Sequence, residues 1–181
     1  ADIADYKTGL LGVGANWHPE TLIDAYRKGI FPWPMPDFDE IPWFSPGKRA
    51  VLNLQDFKLS ARDLRCLKNS NFRYTSNKDF RSVIEKCSKI KRKKIRGNPN
   101  LSWITSDMQN AYIKLHELGF CHSIEVWQGK DLVGGVYGVL VNQIFAAESM
   151  FRTVNNSSKA ALLALVTVLN RLNLKYLDCQ I

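Results

Sequence analysis

The sequence predicts a mixed α+β fold, and three observations carry that expectation. Segments with the 3.6-residue period of a helix alternate with short runs rich in β-branched and aromatic residues. Three such runs follow one another in the second half, separated only by turn signals, as in an antiparallel meander. An Ala/Leu-rich helix and one last strand come after them. The 181 residues are 45% hydrophobic and 11% aromatic, a composition that excludes a disordered chain.

Each element has a local reason. "HPETLIDAYRKGIFPW" predicts a short helix with Pro19 in its first turn and Gly29 at its end. "FPWPMPDFDEIPWFSPGKR" carries five prolines, which exclude a long helix or a central strand, while its aromatic density predicts an ordered loop. "AVLNL" reads as a strand, "LSARDLRCLKN" as a helix, "FRYTS" as a strand, and "NKDFRSVIEKCSKI" as a helix capped by Asn77. "TSDMQNAYIKLHELG" is a helix with Thr105 or Ser106 to cap it and Gly119 to stop it. The meander is "HSIEVWQ", "DLVGGVYGVLVN" and "QIFAAESMF", turning at "QGKD" and at Val141-Asn142-Gln143. A helix from about Ser157 to Arg171, buried on a broad face, leads into the strand "LKYLDCQI".

That order of helix, meander, helix and strand resembles the layout of GNAT-type acyltransferase domains. The expected division is a small N-terminal α/β part and a GNAT-like domain over residues 97–181 with a mixed, mostly antiparallel sheet. The N-terminal part comprises residues 1–48, with the Pro-rich aromatic loop, and residues 49–96.

A formal charge of +8 predicts a polyanionic partner. Lys89, Lys91, Arg92, Lys93, Lys94 and Arg96 crowd into "CSKIKRKKIRGN", which reads either as a solvated loop or as a phosphate-contacting one. No apolar run is long enough to cross a bilayer, and "ADIADYKTGLLGVG" lacks the layout of a signal peptide, so a cytoplasmic protein without membrane contact is expected. Cysteines 66, 87, 121 and 179 stand singly, without zinc-like spacing, and read as reduced core thiols with no metal.

Several chemistries find no support. "GLLGVGAN" and "VGGVYG" match neither the dinucleotide nor the P-loop spacing, so their glycines are assigned to turns and close packing. The turn "RTVNNSSK" is Asn/Ser-rich where a coenzyme A enzyme needs a glycine-rich pyrophosphate loop, which points to another acyl donor. Cys179 has no His in sequence relation to it, and "AESMF" around Ser149 is not a nucleophile elbow, so covalent catalysis is not indicated. Glu148 and Asp178 each read as the end of a strand. Taken singly each reads as a surface-exposed or salt-bridged acid; together, with Phe145, Met150 and Leu177, they suggest a pocket with an apolar wall and an anionic corner that would hold an apolar group beside a cation.

The segments "FPW", "WFSPGKRAVL", "WIT", "LHELGFCHSIEVWQGKDLVGGVYGV", "FAAESMF", "SSKAALLAL" and "LDCQ", in this order and spacing, closely resemble the bacterial leucyl/phenylalanyl-tRNA-protein transferases. The resemblance runs from about Leu10 onward. It implies a small N-terminal domain before a GNAT-like domain, and chain that continues beyond "LDCQ". It implies transfer of Leu or Phe from Leu-tRNA or Phe-tRNA to the α-amino group of acceptor proteins beginning with Arg or Lys, which marks them for the N-degron pathway. No cofactor is implied, because the aminoacyl-tRNA is itself a substrate.

Carried over by residue, the resemblance puts the aminoacyl pocket and adenosine platform on Trp33, Trp103, Phe145, Met150 and Leu177, with Glu148 close by. Asp178 and Gln180 become the catalytic pair. In one version Asp178 polarises Gln180, whose amide oxygen takes a proton from the attacking amine. In another, Gln180 orients the amine while Asp178 fixes Gln180 or meets the acceptor's charge. Val136 and Leu165 stand where a family member has Met and Phe. Two alternatives remain: a GNAT-like N-acyltransferase with another donor, and a non-catalytic RNA-binding protein.

Overall fold

A computed structural model of the chain describes residues 8–35, 38–90 and 102–180. Three short strands, β1 (Leu10–Val13), β2 (Phe31–Pro32) and β3 (Pro42–Phe44), form an N-terminal sheet in the order β1-β3-β2, beside helix α1 (Pro19–Arg27). The Pro-rich stretch therefore does supply a central strand, against the expectation from its prolines. Pro42 can sit there because it opens the strand and offers only its carbonyl, which accepts the Trp33 N–H at 2.9 Å. The rest of β3 is Trp43 and Phe44, and Phe44 pairs with Leu10 on one side and Phe31 on the other.

The second sheet has six strands: β4 (Val51–Asn53), β5 (Arg73–Ser76), β6 (Cys121–Gln128), β7 (Asp131–Val141), β8 (Ile144–Arg152) and β9 (Tyr176–Asp178). Their order is β4-β9-β8-β7-β6-β5, and every pairing is antiparallel except β8 with β9, so the sheet is mixed and mostly antiparallel. β4 and β5 are its edges, so the division expected near residue 96 falls inside one sheet. Pairing of Tyr74 with Val126 joins segments too distant in sequence for periodicity to reveal.

Four more helices cover this sheet: α2 (Ala61–Lys68), α3 (Phe80–Ser88), α4 (Ser106–Glu117) and α5 (Ser157–Arg171). α1, α3 and α4 bury Leu22, Val83, Ile84, Met108 and Leu115 with Tyr137 and Phe151 in one core, while α5 buries Ala160, Ala161 and Leu165 with Val136 and Phe145 in another. No described helix is long and apolar enough to cross a membrane.

The local signals mostly act as read. The Thr105 hydroxyl accepts the Met108 N–H at 3.2 Å, and Gly119 leaves α4 at φ +83°. Asn142 and Gln143 both take positive φ in the β7–β8 turn, as a primed hairpin turn requires. The cap of α3 is Asp79, whose Oδ1 accepts the Ser82 N–H at 3.1 Å, and not Asn77. Asn77, at φ +56°, instead accepts the Ser123 N–H at 3.0 Å and clips the turn onto β6. Cys87 and Cys121 are buried thiols, but Cys66 and Cys179 are exposed.

Candidate active site

The site begins with an irregularity in β8. Tyr137 pairs with Ser149, but the next residue of β7, Gly138, pairs with Ala147, leaving Glu148 as an extra residue opposite no partner. Such a bulge re-aims a side chain and is common next to active sites. Glu148 thus lies within β8 and not at its end, as the sequence suggested. Gly138 makes the bulge possible: a Cβ there would lie 2.2 Å from the Ala146 carbonyl oxygen and 2.4 Å from the Phe145 ring.

Glu148 is only 8% exposed as a residue, and its two carboxyl oxygens have different surroundings. Oε1 accepts the Tyr26 hydroxyl at 2.5 Å and the Gln180 Nε2–H at 2.6 Å. The Tyr26 hydroxyl in turn meets that of Tyr112, which is wholly buried on α4. Oε2 is buried with no hydrogen-bond partner among the described residues, as is the Tyr137 hydroxyl. Burial is the largest influence on the carboxyl and pushes it up; the bonds from Tyr26 and Gln180 pull it back, and the charge of Asp178 adds to the rise, leaving it at about 7. Burial, then Glu148 itself, pushes the Tyr137 hydroxyl and the Cys121 thiol well above their ordinary values. Glu148 is the group here poised to exchange a proton near neutrality.

Two clefts meet at this carboxyl. One, of about 180 Å³, is walled by Phe31, Pro32, Trp33 and Trp103 and floored by Glu148 and Gln180. The other, of about 370 Å³, is walled by Leu52, Val136, Met150, Leu162, Leu165 and Leu177. Ala147, Glu148 and Cys179 line both. Cys179 stands at the junction, but partial burial and the charge of Asp178 push its thiol up, away from the thiolate a nucleophile needs.

Of the residues named from sequence, Trp33, Trp103, Glu148 and Gln180 come together in the first cleft, and Met150 and Leu177 in the second. Phe145 does not join them: it is 2% exposed in the α5 core and borders a separate groove with His122 and Leu169. Asp178 lines neither cleft. Arg49 holds its carboxylate through Nε and Nη2, and the only link from Asp178 to Gln180 is to the backbone N–H, at 2.8 Å. The Gln180 amide is therefore bonded to Glu148, and the side-chain contact with Asp178 that a relay needs is not present. Lys89 is exposed at the end of α3 and pairs with Glu85 at 2.5 Å. Lys91, Arg92, Lys93, Lys94 and Arg96 lie outside the described residues.

Sequence reasoning missed Arg49, Tyr26 and Tyr112. The tyrosines did leave a signal. Tyr26 follows Leu22 and Tyr112 follows Met108 by one helical turn, so each occupies a core-facing position where its hydroxyl must find a partner.

Fold and site together are those of a mixed α+β domain whose bulged strand presents one buried carboxylate between two clefts. The comparisons give the family. The profile of the leucyl/phenylalanyl-tRNA protein transferases matches residues 51–181, and that of their N-terminal domain matches residues 16–47. The chain belongs to that family. It is 43% identical over 173 residues to the leucyl/phenylalanyl-tRNA–protein transferase of Shewanella pealeana, covering 96% of this chain and 71% of that protein. It is 45% identical to the protein of that name from Shewanella woodyi, with the same coverage. The Lawsonia intracellularis relative is 43% identical over 97% of this chain and 75% of its own length. Among solved structures, L-PGS from Bacillus licheniformis matches 88% of this chain and 50% of its own at 12% identity, with a TM-score of 0.49.

Proposed function

We propose that the chain transfers Leu or Phe from Leu-tRNA or Phe-tRNA to the α-amino group of proteins that begin with Arg or Lys. The observation that carries this reading is Glu148: one oxygen gripped, the other unpaired, at the junction of an indole-walled cleft and an aliphatic one. The aliphatic cleft suits the Leu or Phe side chain. The indole faces of Trp33 and Trp103 suit the terminal adenine, which stacks on aromatic rings. A net charge of +8 and the basic run from Lys89 to Arg96 suit the phosphates.

The acceptor arrives as an ammonium, and the Glu148 carboxylate takes one proton. The freed nitrogen attacks the ester carbonyl carbon, the C–N bond forms, and the bond to the 3′-oxygen of the tRNA breaks. The second amine proton goes to that oxygen, which leaves as a hydroxyl, and Glu148 returns its own proton to water. Gln180 and Tyr26 orient the carboxylate, and positioning of amine against ester supplies most of the acceleration. This sequence uses neither cofactor nor metal. On this reading the enzyme works in the cytoplasm and tags proteins for the N-degron pathway.

The test is transfer of radiolabelled Phe from Phe-tRNA to an Arg-initiated peptide, with a Gly-initiated peptide as control. Label confined to the Arg peptide is the expected result. Label on neither, with charged and uncharged tRNA bound equally well, would favour a non-catalytic RNA-binding protein. Transfer from an acyl-coenzyme A and not from tRNA would favour a different donor.

A further inference from the structure

Arg49 makes more defined polar contacts near the clefts than any single group the reaction uses, yet it touches no atom that reacts. Its Nε donates to Asp178 Oδ1 at 3.2 Å and its Nη2 to Asp178 Oδ2, a two-pronged pair whose side chains are 21% and 13% exposed and so are shielded from competing water. Its Nη1 donates to the Gly29 carbonyl at 2.8 Å, and its guanidinium lies 5.1 Å from the centre of the Phe31 ring, which walls the first cleft. Gly29 follows Tyr26 by three residues at the end of α1. Asp178 accepts the Gln180 backbone N–H, and the adjoining Cys179 N–H is held by the Ala50 carbonyl at 2.8 Å. One planar cation therefore ties down both segments whose side chains grip Glu148 Oε1.

We propose that Arg49 is a positioning residue for the transfer: by occupying Asp178 and the Gly29 carbonyl, it sets Gln180 and Tyr26 against Glu148. The proposal rests on the function read above. It also gives Asp178 its role, since a carboxylate filled by Arg49 acts on the backbone of Gln180 and does not meet the cation of the acceptor. Lysine cannot replace arginine here, because a single ammonium cannot pair with both Asp178 oxygens and reach the Gly29 carbonyl at the same time.

The test compares the wild type with Arg49→Met, Arg49→Lys, Asp178→Asn and the Arg49→Met/Asp178→Asn double variant. Two readouts are used: Phe transfer to an Arg-initiated peptide, and carbon NMR titration of the Glu148 carboxyl. Arg49→Met should lower kcat by on the order of 10²-fold while KM for Phe-tRNA and for peptide stays near wild type. Arg49→Lys, which keeps the charge and guards against loss of folding, should recover only part of that. The double variant should be no slower than the worse single one, since both act through one arrangement.

The Glu148 midpoint should move up in Arg49→Met, because loosened donors and an unpaired Asp178 both disfavour the ionised form. Tyr112, Tyr137 and Cys121, which also face it, are unchanged. A lower melting temperature with kcat per folded molecule and the Glu148 midpoint unaltered would overturn the proposal and leave a structural ion pair. A rise in peptide KM alone for Asp178→Asn would overturn it too. The NMR midpoint needs no turnover, so an inactive wild type would defeat the functional reading while the midpoint still decides on Arg49.

Discussion

Replacing Glu148 by Gln should stabilise the protein, and only where the wild-type carboxyl would ionise. In the folded chain the carboxyl titrates at about 7 against an ordinary 4.5, with burial as the main cause. Below 4.5 it is protonated in both the folded and unfolded states, and nothing is lost. Between 4.5 and about 7 the unfolded chain ionises while the folded one resists, so wild-type stability falls as pH rises, and the loss is complete once the folded carboxyl ionises too. The difference is 7 − 4.5 = 2.5 units, which at 1.36 kcal/mol each is about 3 kcal/mol. That is a large share of the roughly 5–15 kcal/mol that holds a domain together. Glu148→Gln keeps an oxygen for Tyr26 and Gln180 to donate to and has no charge to bury, so it should gain this amount over wild type near pH 8 and almost none near pH 4. Urea unfolding of both proteins at several pH values measures it. A stability difference that does not change across this range would refute the argument that burial holds the carboxyl up. The same variant should lose transfer by roughly 10²–10⁴-fold, the usual worth of a positioned proton acceptor.

Other substitutions separate the remaining roles. Tyr26→Phe removes a donor that favours the ionised carboxylate, so the rise of transfer rate with pH should shift to higher pH; an unmoved profile would show that Tyr26 does not act on Glu148. Gly138→Ala forces a methyl against the Ala146 carbonyl and the Phe145 ring and should cost about 1–3 kcal/mol in urea unfolding. Phe145→Ala should cost about 3–5 kcal/mol of stability but leave the ratio of Leu to Phe transfer unchanged, because the ring packs under α5 and borders neither cleft. Gln180→Ala should lower turnover and spare binding of Phe-tRNA, whereas charge reversal of Lys91 to Lys94 should weaken binding and steepen no chemical step; equal binding loss in both would refute that division.

What the sequence revealed divides along the range of the interactions. Thr105, Gly119 and Asn142 announced helix ends and a turn because each acts on its immediate neighbours. Strand β3 was hidden because Phe44 gains its partners from Leu10 and Phe31, which no local pattern records. Glu148 stood out as an acid inside an apolar run, but its place in a bulge depends on the packing of Gly138 against Ala146 and Phe145. Asp178 and Gln180 were legible as site residues, while their side-chain partners were not: Arg49 lies 129 positions before Asp178, and Glu148 lies 32 before Gln180. Tyr26 and Tyr112, 86 positions apart, meet only once α1 and α4 pack.

The bulge in β8 also changes which residues of one strand serve which core. In a regular strand, residues separated by an even number point the same way. Phe145 and Phe151 are separated by six, yet Phe145 packs with Leu165 beneath α5 and Phe151 with Phe80 and Val83 on the opposite side. The uncounted residue at 148 reverses the parity of everything after it. Deleting position 148 would therefore join Ala147 to Ser149 opposite Gly138 and Tyr137, and leave a regular strand in which Phe145 and Phe151, now five apart, still face opposite layers while the carboxylate is lost. The sheet could close without that residue; the carboxylate between the two clefts could not exist without it.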